Sequence, residues 1–224
     1  RKESSAASDV YKRQARVHAI IVARPGSSAR AQLLRTLDAL RSQTTPPAAI
    51  TLVMCGDAAS ARESGAIAGA VEGIIQARGG TSFADAVELA RPRILEGSAV
   101  WLLAHDTAPH ERALERLVGT LERSPSAAIV APKLVHTDNE REIVSLGVSM
   151  TTLGRAVELA AGELDQGQHD GSDDALGADI RGMLIRGEVR DALRPDPALA
   201  GADLGLDLGA VSYTHLTLPT TPYV

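Results

Sequence analysis

The chain has one cysteine, Cys55, among 224 residues, which excludes an intramolecular disulfide framework. No run approaches the roughly 18 consecutive apolar residues of a membrane span. There is no basic excess: 23 Lys and Arg face 28 Asp and Glu, for a net charge of −5. That balance argues against a nucleic-acid binder. The motifs that usually announce a nucleotide or a nucleophile are also missing. No GxGxxG follows the first apolar run, no GxxxxGK[ST] cradles a phosphate, and no GxSxG elbow presents a serine. Cys55 closes a buried apolar run and reads as a core or loop thiol rather than a nucleophile. His105 and His110 are five residues apart, which does not share one helical face, and no third ligand stands at zinc-site spacing.

Aromatic residues are scarce as well, at 2%. The three tyrosines, Tyr11, Tyr213 and Tyr223, all fall within the first or last fourteen residues. The closing run VSYTHLTLPTTPYV carries no Asp, Glu, Lys or Arg, and the opening RKESSAASDVYKRQ is polar and aperiodic. Both resemble translated sequencing-adapter read-through, and an ordinary disordered tail at each end is the alternative. Residues 1–14 and 211–224 are therefore expected to be foreign or disordered and are set aside. This leaves one domain over 15–210, expected to be cut short at its C-terminal end. Removing the ends takes away four basic and two acidic residues, so the middle carries 19 against 26 and a net charge of −7.

What is present is an alternation of apolar runs and amphipathic stretches. VHAIIVA at 17–23 reads as a buried strand stopped at Arg24-Pro25-Gly26. Ser27 or Ser28 then caps a helix with Leu33, Leu34, Leu37 and Leu40 at helical spacing. ITLVM at 50–54 is a second strand, so the order indicates a βαβ unit and a parallel sheet. The Ala/Gly-rich stretch 58–78 reads as a loose helix. A helix over 82–91, a strand over 99–103, a helix over 110–123 and a strand over 127–131 follow. Beyond Pro132 the texture changes. A hairpin is expected from 143–150 and 155–160 around Thr151–Gly154. A polar loop follows at 163–174, then a strand over 179–186 and a short helix from Glu188 to Leu193. The first half is thus α/β and doubly wound, the second mixed. Ligands of such sheets bind beyond the carboxyl ends of the strands, here Arg24-Pro25, Cys55-Gly56-Asp57 and Ala104-His105-Asp106.

At WLLAHDTAP, 101–109, a buried strand ending in an acidic residue and followed by a Pro-led helix resembles the DxD region of family-two glycosyltransferases. AIIVARPGSSARAQLLRTLDALRSQTTPP resembles that family's opening, with its Gln-Thr pair. GGTSFADAV at 79–87 is similar to its glycine-containing helix entry, and ELDQGQHDG at 163–171 to a loop of large actinobacterial members. RGMLIRGEVRDAL at 181–193, DPAL at 196–199 and LDLG at 206–209 resemble its acceptor-side segment. The resemblance implies a GT-A fold: a mostly parallel, doubly wound nucleotide-binding half joined to a mixed acceptor half. It implies transfer of a sugar, with inversion, from a nucleoside-diphosphate sugar to a glycan or lipid-linked acceptor hydroxyl in cell-envelope assembly. A divalent Mg²⁺ or Mn²⁺ would neutralise the departing diphosphate. The nucleotide side would draw on Ala23, Arg24, Pro25, Asp57, Gly80, Asp85, His105 and Asp106, with Asp106 as the metal ligand. A helix N-cap is the plain alternative for Asp106.

This chain departs from the family where acidity matters. Ala104 and His105 stand where further acidic residues are usual, and Asp57 is displaced from the end of the second strand. Leu204-Gly205 replace the catalytic carboxylate pair, with Asp203 and Asp207 on either side. Those two are the candidate bases, and solvated loop carboxylates are the alternative. The reading thus divides between an active transferase and a degenerate, non-catalytic module of a larger membrane protein. Membrane contact, on the cytoplasmic face, would come only through parts outside this chain.

Overall fold

The computed structural model describes residues 16–24, 26, 28–56, 67, 69–152, 156–170, 174–175, 177–189 and 215–217. The first strand, β1 (Val17–Ala23), is buried along its whole length. It pairs in parallel with β2 (Ala49–Cys55) on one side and β4 (Ala99–Ala104) on the other. Between β1 and β2 lies α1 (Ala29–Arg41), whose Leu33, Leu37 and Leu40 face inward. β3 (Gly73–Ala77) pairs in parallel with β2. It is followed by α2 (Phe83–Ala90) and a 3₁₀ turn at Arg91–Arg93, where Pro92 ends the helix. After β4 come α3 (Ala113–Arg123) and β5 (Ala127–Val130). The expected helix over 58–78 is corrected here. Its described end is β3, where the β-branched Ile74 and Ile75 pair with Leu52 and Val53 of a fully buried neighbour.

The second half is built from short pieces. β6 (Leu134–Val135) pairs antiparallel with β7 (Ile143–Ser145). β8 (Val148–Met150) pairs antiparallel with β9 (Ala156–Glu158), the hairpin expected from the sequence; backbone bonds of Ile143 to Glu163 and of Leu146 to Leu159 continue it toward β7, which also pairs with β6. The remaining pieces are β10 (Asp174–Ala175), β11 (Leu184–Ile185) and β12 (His215–Thr217). The strand expected over 179–186 shrinks to β11, and Gly187–Val189 form a turn where a helix was expected to begin. The main sheet has eight strands in the order β10-β12-β5-β11-β4-β1-β2-β3. β11 runs antiparallel between β4 and β5 and stitches the two halves together. β12, inside the run set aside above, lies parallel to β5.

Alternation along β1 explains the layers. Ala19 and Ile21 pack toward α1 and α3, while Ile20 and Val22 pack toward α2 and the 178–185 segment. Both faces are apolar because both are covered, as a doubly wound sheet requires. Arg186 closes the seam: its guanidinium donates to the carbonyls of Leu121, Ser124 and Ala127, satisfying the C-terminal end of α3. Gly187 follows because a Cβ there would stand 2.7 Å from the Ser98 carbonyl oxygen.

Two polar side chains of α1 and its C-terminal turn fix the loop after β4. Thr36 donates its hydroxyl to the His105 carbonyl at 2.7 Å. Gln43, only 5% exposed, donates to the carbonyls of Ala39 and His110 and accepts the Leu114 N–H at 3.0 Å. That last bond satisfies an orphan donor at the start of α3. Gln43→Ala strands the Leu114 N–H in an apolar surround. It is expected to lower the unfolding free energy by about 1–3 kcal/mol in urea titration, and a change under about 0.5 kcal/mol would contradict this account.

His18 is buried inside β1. Its Nδ1 accepts the Leu95 N–H at 3.2 Å, so Nε2 carries the proton and donates to Thr51 Oγ1 at 2.8 Å. Burial pushes the imidazole below its usual value, with the Glu72 charge opposing. The unfolded chain therefore binds the His18 proton at higher pH than the folded chain does. The neutral-histidine contribution is whole above about pH 6.5 and declines as pH falls through that value. Urea titrations between about pH 5 and 7.5 should show stability falling toward acid, with a flatter profile for His18→Gln. Parallel profiles for the two proteins would refute the assignment.

Candidate functional site

The carboxyl end of β4 is where the chain turns outward. His105 donates its backbone N–H to the Val22 carbonyl at 3.0 Å, and Thr107 closes the turn onto Ala104 at 3.1 Å. With the His105 carbonyl already taken by Thr36, the backbone on both sides of Asp106 is fixed and its side chain is left exposed. Asp106 borders a crevice of about 280 Å³. The described lining is Asp106 and Thr107 from the end of β4, Leu134–Thr137 and Val144 from the β6–β7 ladder, and Arg181. Thr107 Oγ1 is buried without a hydrogen-bond partner among the described residues.

Arg181 arrives by topology. β11 pairs antiparallel with β4, with Leu184 opposite Trp101. Extending that register three residues back brings Arg181 level with Ala104, at the same end of the sheet. Gly182, at φ 116°, makes the bend that feeds Arg181 into β11, and it is pinned by bonds to Leu102 and the Trp101 indole. Asp179 grips the arginine from behind. Its carboxylate accepts the Arg181 backbone N–H at 2.8 Å, Nε at 2.9 Å, and Nη2. Those bonds hold the guanidinium pKa above its ordinary value against partial burial, and the charges of Asp179, Glu158 and Asp106 add to them.

A second ion cluster supports the β6 wall. Lys133, 4% exposed at its side chain, lies 2.6 Å from Asp165 Oδ2 and 3.2 Å from Asp170 Oδ1. Burial works against its charge, but the bonds and charges of the two carboxylates outweigh it and raise its pKa. The 163–171 loop singled out in the sequence is thus tied to the residue preceding Leu134, in the crevice wall.

Of the residues marked from the sequence that are described, only Asp106 reaches this crevice. Ala23 is buried at the end of β1, and Arg24 is exposed just beyond it. Gly80, at φ 88°, makes the turn ahead of α2. Asp85 is engaged in capping that helix: Ser82 accepts its backbone N–H at 3.1 Å and donates back to its carboxylate at 2.7 Å. His105 is half-buried beside Asp106 but outside the described lining. Pro25, Asp57, Asp203 and Asp207 lie outside the described residues. Cys55 is 2% exposed, and burial pushes its thiol pKa up, which suits a packing role. The sequence reading missed Arg181 and the two α1 clamps. The available signal for Arg181 was an acidic-x-basic pair directly before a glycine.

The donors at the crevice suit a hard cation only in part. Asp106 and the orphaned Thr107 hydroxyl are oxygen groups of the kind Mg²⁺ and Mn²⁺ prefer. Among the described residues, however, no three His, Cys, Asp or Glu side chains converge to hold a metal. These two oxygen groups do not by themselves complete a cation site.

No helix among the described residues is long and apolar enough to cross a membrane. No curated protein matches the chain significantly. Solved structures do. S. aureus TarS 1–349 matches with a TM-score of 0.61 at 11% identity, over 93% of this chain and 60% of that one. The same TarS fragment in complex with UDP matches with a TM-score of 0.60 at 10% identity, over the same shares. GalNAc-T7 with UDP, GalNAc and Mn²⁺ matches with a TM-score of 0.67 at 12% identity, over 93% of this chain and 43% of that one. The chain thus spans less than two thirds of each. At these identities the likeness shows the fold, which is GT-A. The family model for glycosyltransferase like family 2 matches residues 14–213, and the chain belongs to that family.

Proposed function

We propose that this chain binds a nucleoside-diphosphate sugar and transfers the sugar, with inversion, to an acceptor hydroxyl. The single observation that carries the reading is the position of Asp106. It is an exposed carboxylate fixed at the carboxyl end of a central parallel strand, bordering a crevice between the two halves. Such strand ends are where nucleotides bind in this class of sheet. Two of the similar structures, TarS 1–349 and GalNAc-T7, contain UDP, and GalNAc-T7 also contains Mn²⁺, which makes a uridine nucleotide with Mn²⁺ the first probe.

In the reaction, the bond from the anomeric carbon to the diphosphate oxygen breaks and its electron pair leaves with the diphosphate. The acceptor oxygen bonds to that carbon from the opposite side and gives up its proton to a carboxylate, assigned here to Asp203 or Asp207. A divalent cation, when bound, supplies charge neutralisation at the departing diphosphate. Asp106 would hold it. The β6–β7 wall covers the crevice from the acceptor half. The envelope role, with a glycan or lipid-linked acceptor at the cytoplasmic face of the membrane, rests on the family resemblance of the sequence.

A second reading is favoured by one observation: the described crevice lining carries a single carboxylate. On that reading the chain is a binding module without turnover.

Isothermal titration of the full chain with UDP and UDP-sugars in Mn²⁺ tests the proposal. Wild-type protein is expected to bind, and Asp106→Ala to weaken binding about tenfold or more, equivalent to about 1.4 kcal/mol. Mn²⁺ alone should show no specific site. Absence of nucleotide binding, or equal affinity in Asp106→Ala, would defeat the proposal. Binding without hydrolysis or transfer would select the second reading.

A further inference from the structure

The described lining of the crevice contains one permanently charged cation, Arg181. It is held as a ligand-binding arginine is held. Asp179 occupies the backbone N–H, Nε and Nη2, which fixes the plane of the guanidinium. Among the described residues, Nη1 donates to nothing. Its side chain keeps 36% of its surface exposed, against 11% for Asp179, so the carboxylate is the buried partner and the arginine the presented one. In the same crevice, Asp106 makes no hydrogen bond or ion pair among the described residues.

The charges around this pair matter. Asp106, Asp179 and Glu158 all act on Arg181. The described lining carries one carboxylate, Asp106, and one arginine, whose charge Asp179 partly offsets from behind. A diphosphate entering the crevice meets the Asp106 charge, so a fixed cation facing it directly favours its binding. Arginine suits that task because its planar fork presents donors to phosphate oxygens and stays charged at every working pH.

We propose that Arg181 is a second anchor for the diphosphate of the donor, in the same crevice as Asp106. The arginine grips phosphate oxygens directly through its Nη1 edge, while Asp106 reaches them through a shared cation. This assignment rests on the sugar-transfer reading above. It adds a binding residue that acts without metal, positioned by Asp179.

Pyrophosphate is the probe, titrated into the full chain with and without Mn²⁺. Wild type is expected to bind in both conditions and more tightly with Mn²⁺. Arg181→Gln should weaken binding about tenfold or more in both, and Arg181→Lys should recover part of the loss. Asp106→Ala should weaken binding only when Mn²⁺ is present. A purely structural Arg181 would instead lower the thermal midpoint of Arg181→Gln and leave its pyrophosphate affinity unchanged, which would overturn the proposal. A readout on folded wild type covers the case in which that variant does not fold. The ¹⁵N guanidinium signals of Arg181 should shift with added pyrophosphate, and unmoved signals would overturn the assignment.

The two readings fail separately. If Arg181→Gln binds pyrophosphate like wild type while UDP-sugars still bind in an Asp106-dependent way, the arginine assignment falls and the transfer reading stands. If pyrophosphate binding depends on Arg181 but no nucleotide sugar binds, the transfer reading falls and an anion site remains.

Discussion

The hold that α1 keeps on the segment after β4 governs the rest of the site. A strand end in a parallel sheet is normally free to wander, because its last carbonyl has no ladder partner. Here Thr36 takes the His105 carbonyl, and Gln43 takes the His110 carbonyl and the Leu114 N–H. Both ends of the eight-residue connection, 105–112, are thereby bonded to α1 and the turn that follows it. Asp106 lies between those anchors. Its exposure is therefore a fixed geometric feature of the fold.

The second half meets this strand end through charge as well as packing. β11 brings Arg181 alongside β4 by register, and Asp179 sets its orientation. Lys133 and its two aspartates tie the polar 163–171 loop to the wall containing Leu134. Removing one member of a buried ion cluster leaves an uncompensated charge, so these contacts specify position more than they add stability. Arg186 performs a related service at the far end of β11, where it closes the C-terminus of α3. Of these three basic residues, Arg186 bonds the mixed half to the parallel half, while Lys133 and Arg181 pair within the mixed half.

Much of the first half was legible in the residues. Apolar runs buried on both faces, such as 17–23 and 99–103, permit little besides central strands, and the Leu spacing of 33–40 permits little besides a helix. β3 was misread because Gly73 and its Ala/Gly-rich approach carry no period, and its strand character comes from pairing with β2. The second half was harder because its strands are two or three residues long, too short for alternation to register. The place of Asp106 was legible, since an acidic residue that ends a buried apolar run lies at the carboxyl end of a strand. Arg181 was not, since its role depends on an antiparallel register that no local pattern encodes. The Gln-Thr pair was visible as a family likeness, but its physical reason, a bridge from α1 to α3, appears only in three dimensions. Asp85 shows the converse: an acidic residue at a strand-to-helix entry whose described bonds are those of a helix cap.

The central claim is that Asp106 faces a diphosphate and its cation in the crevice it shares with Arg181. A crystal of the full chain grown with UDP and Mn²⁺, measured at the manganese absorption edge, addresses it without reference to turnover. The account predicts one anomalous peak within coordination distance of an Asp106 carboxylate oxygen, with phosphate density between it and the Arg181 guanidinium. Ordered UDP with its manganese peak remote from Asp106, or phosphates lodged outside this crevice, would contradict it.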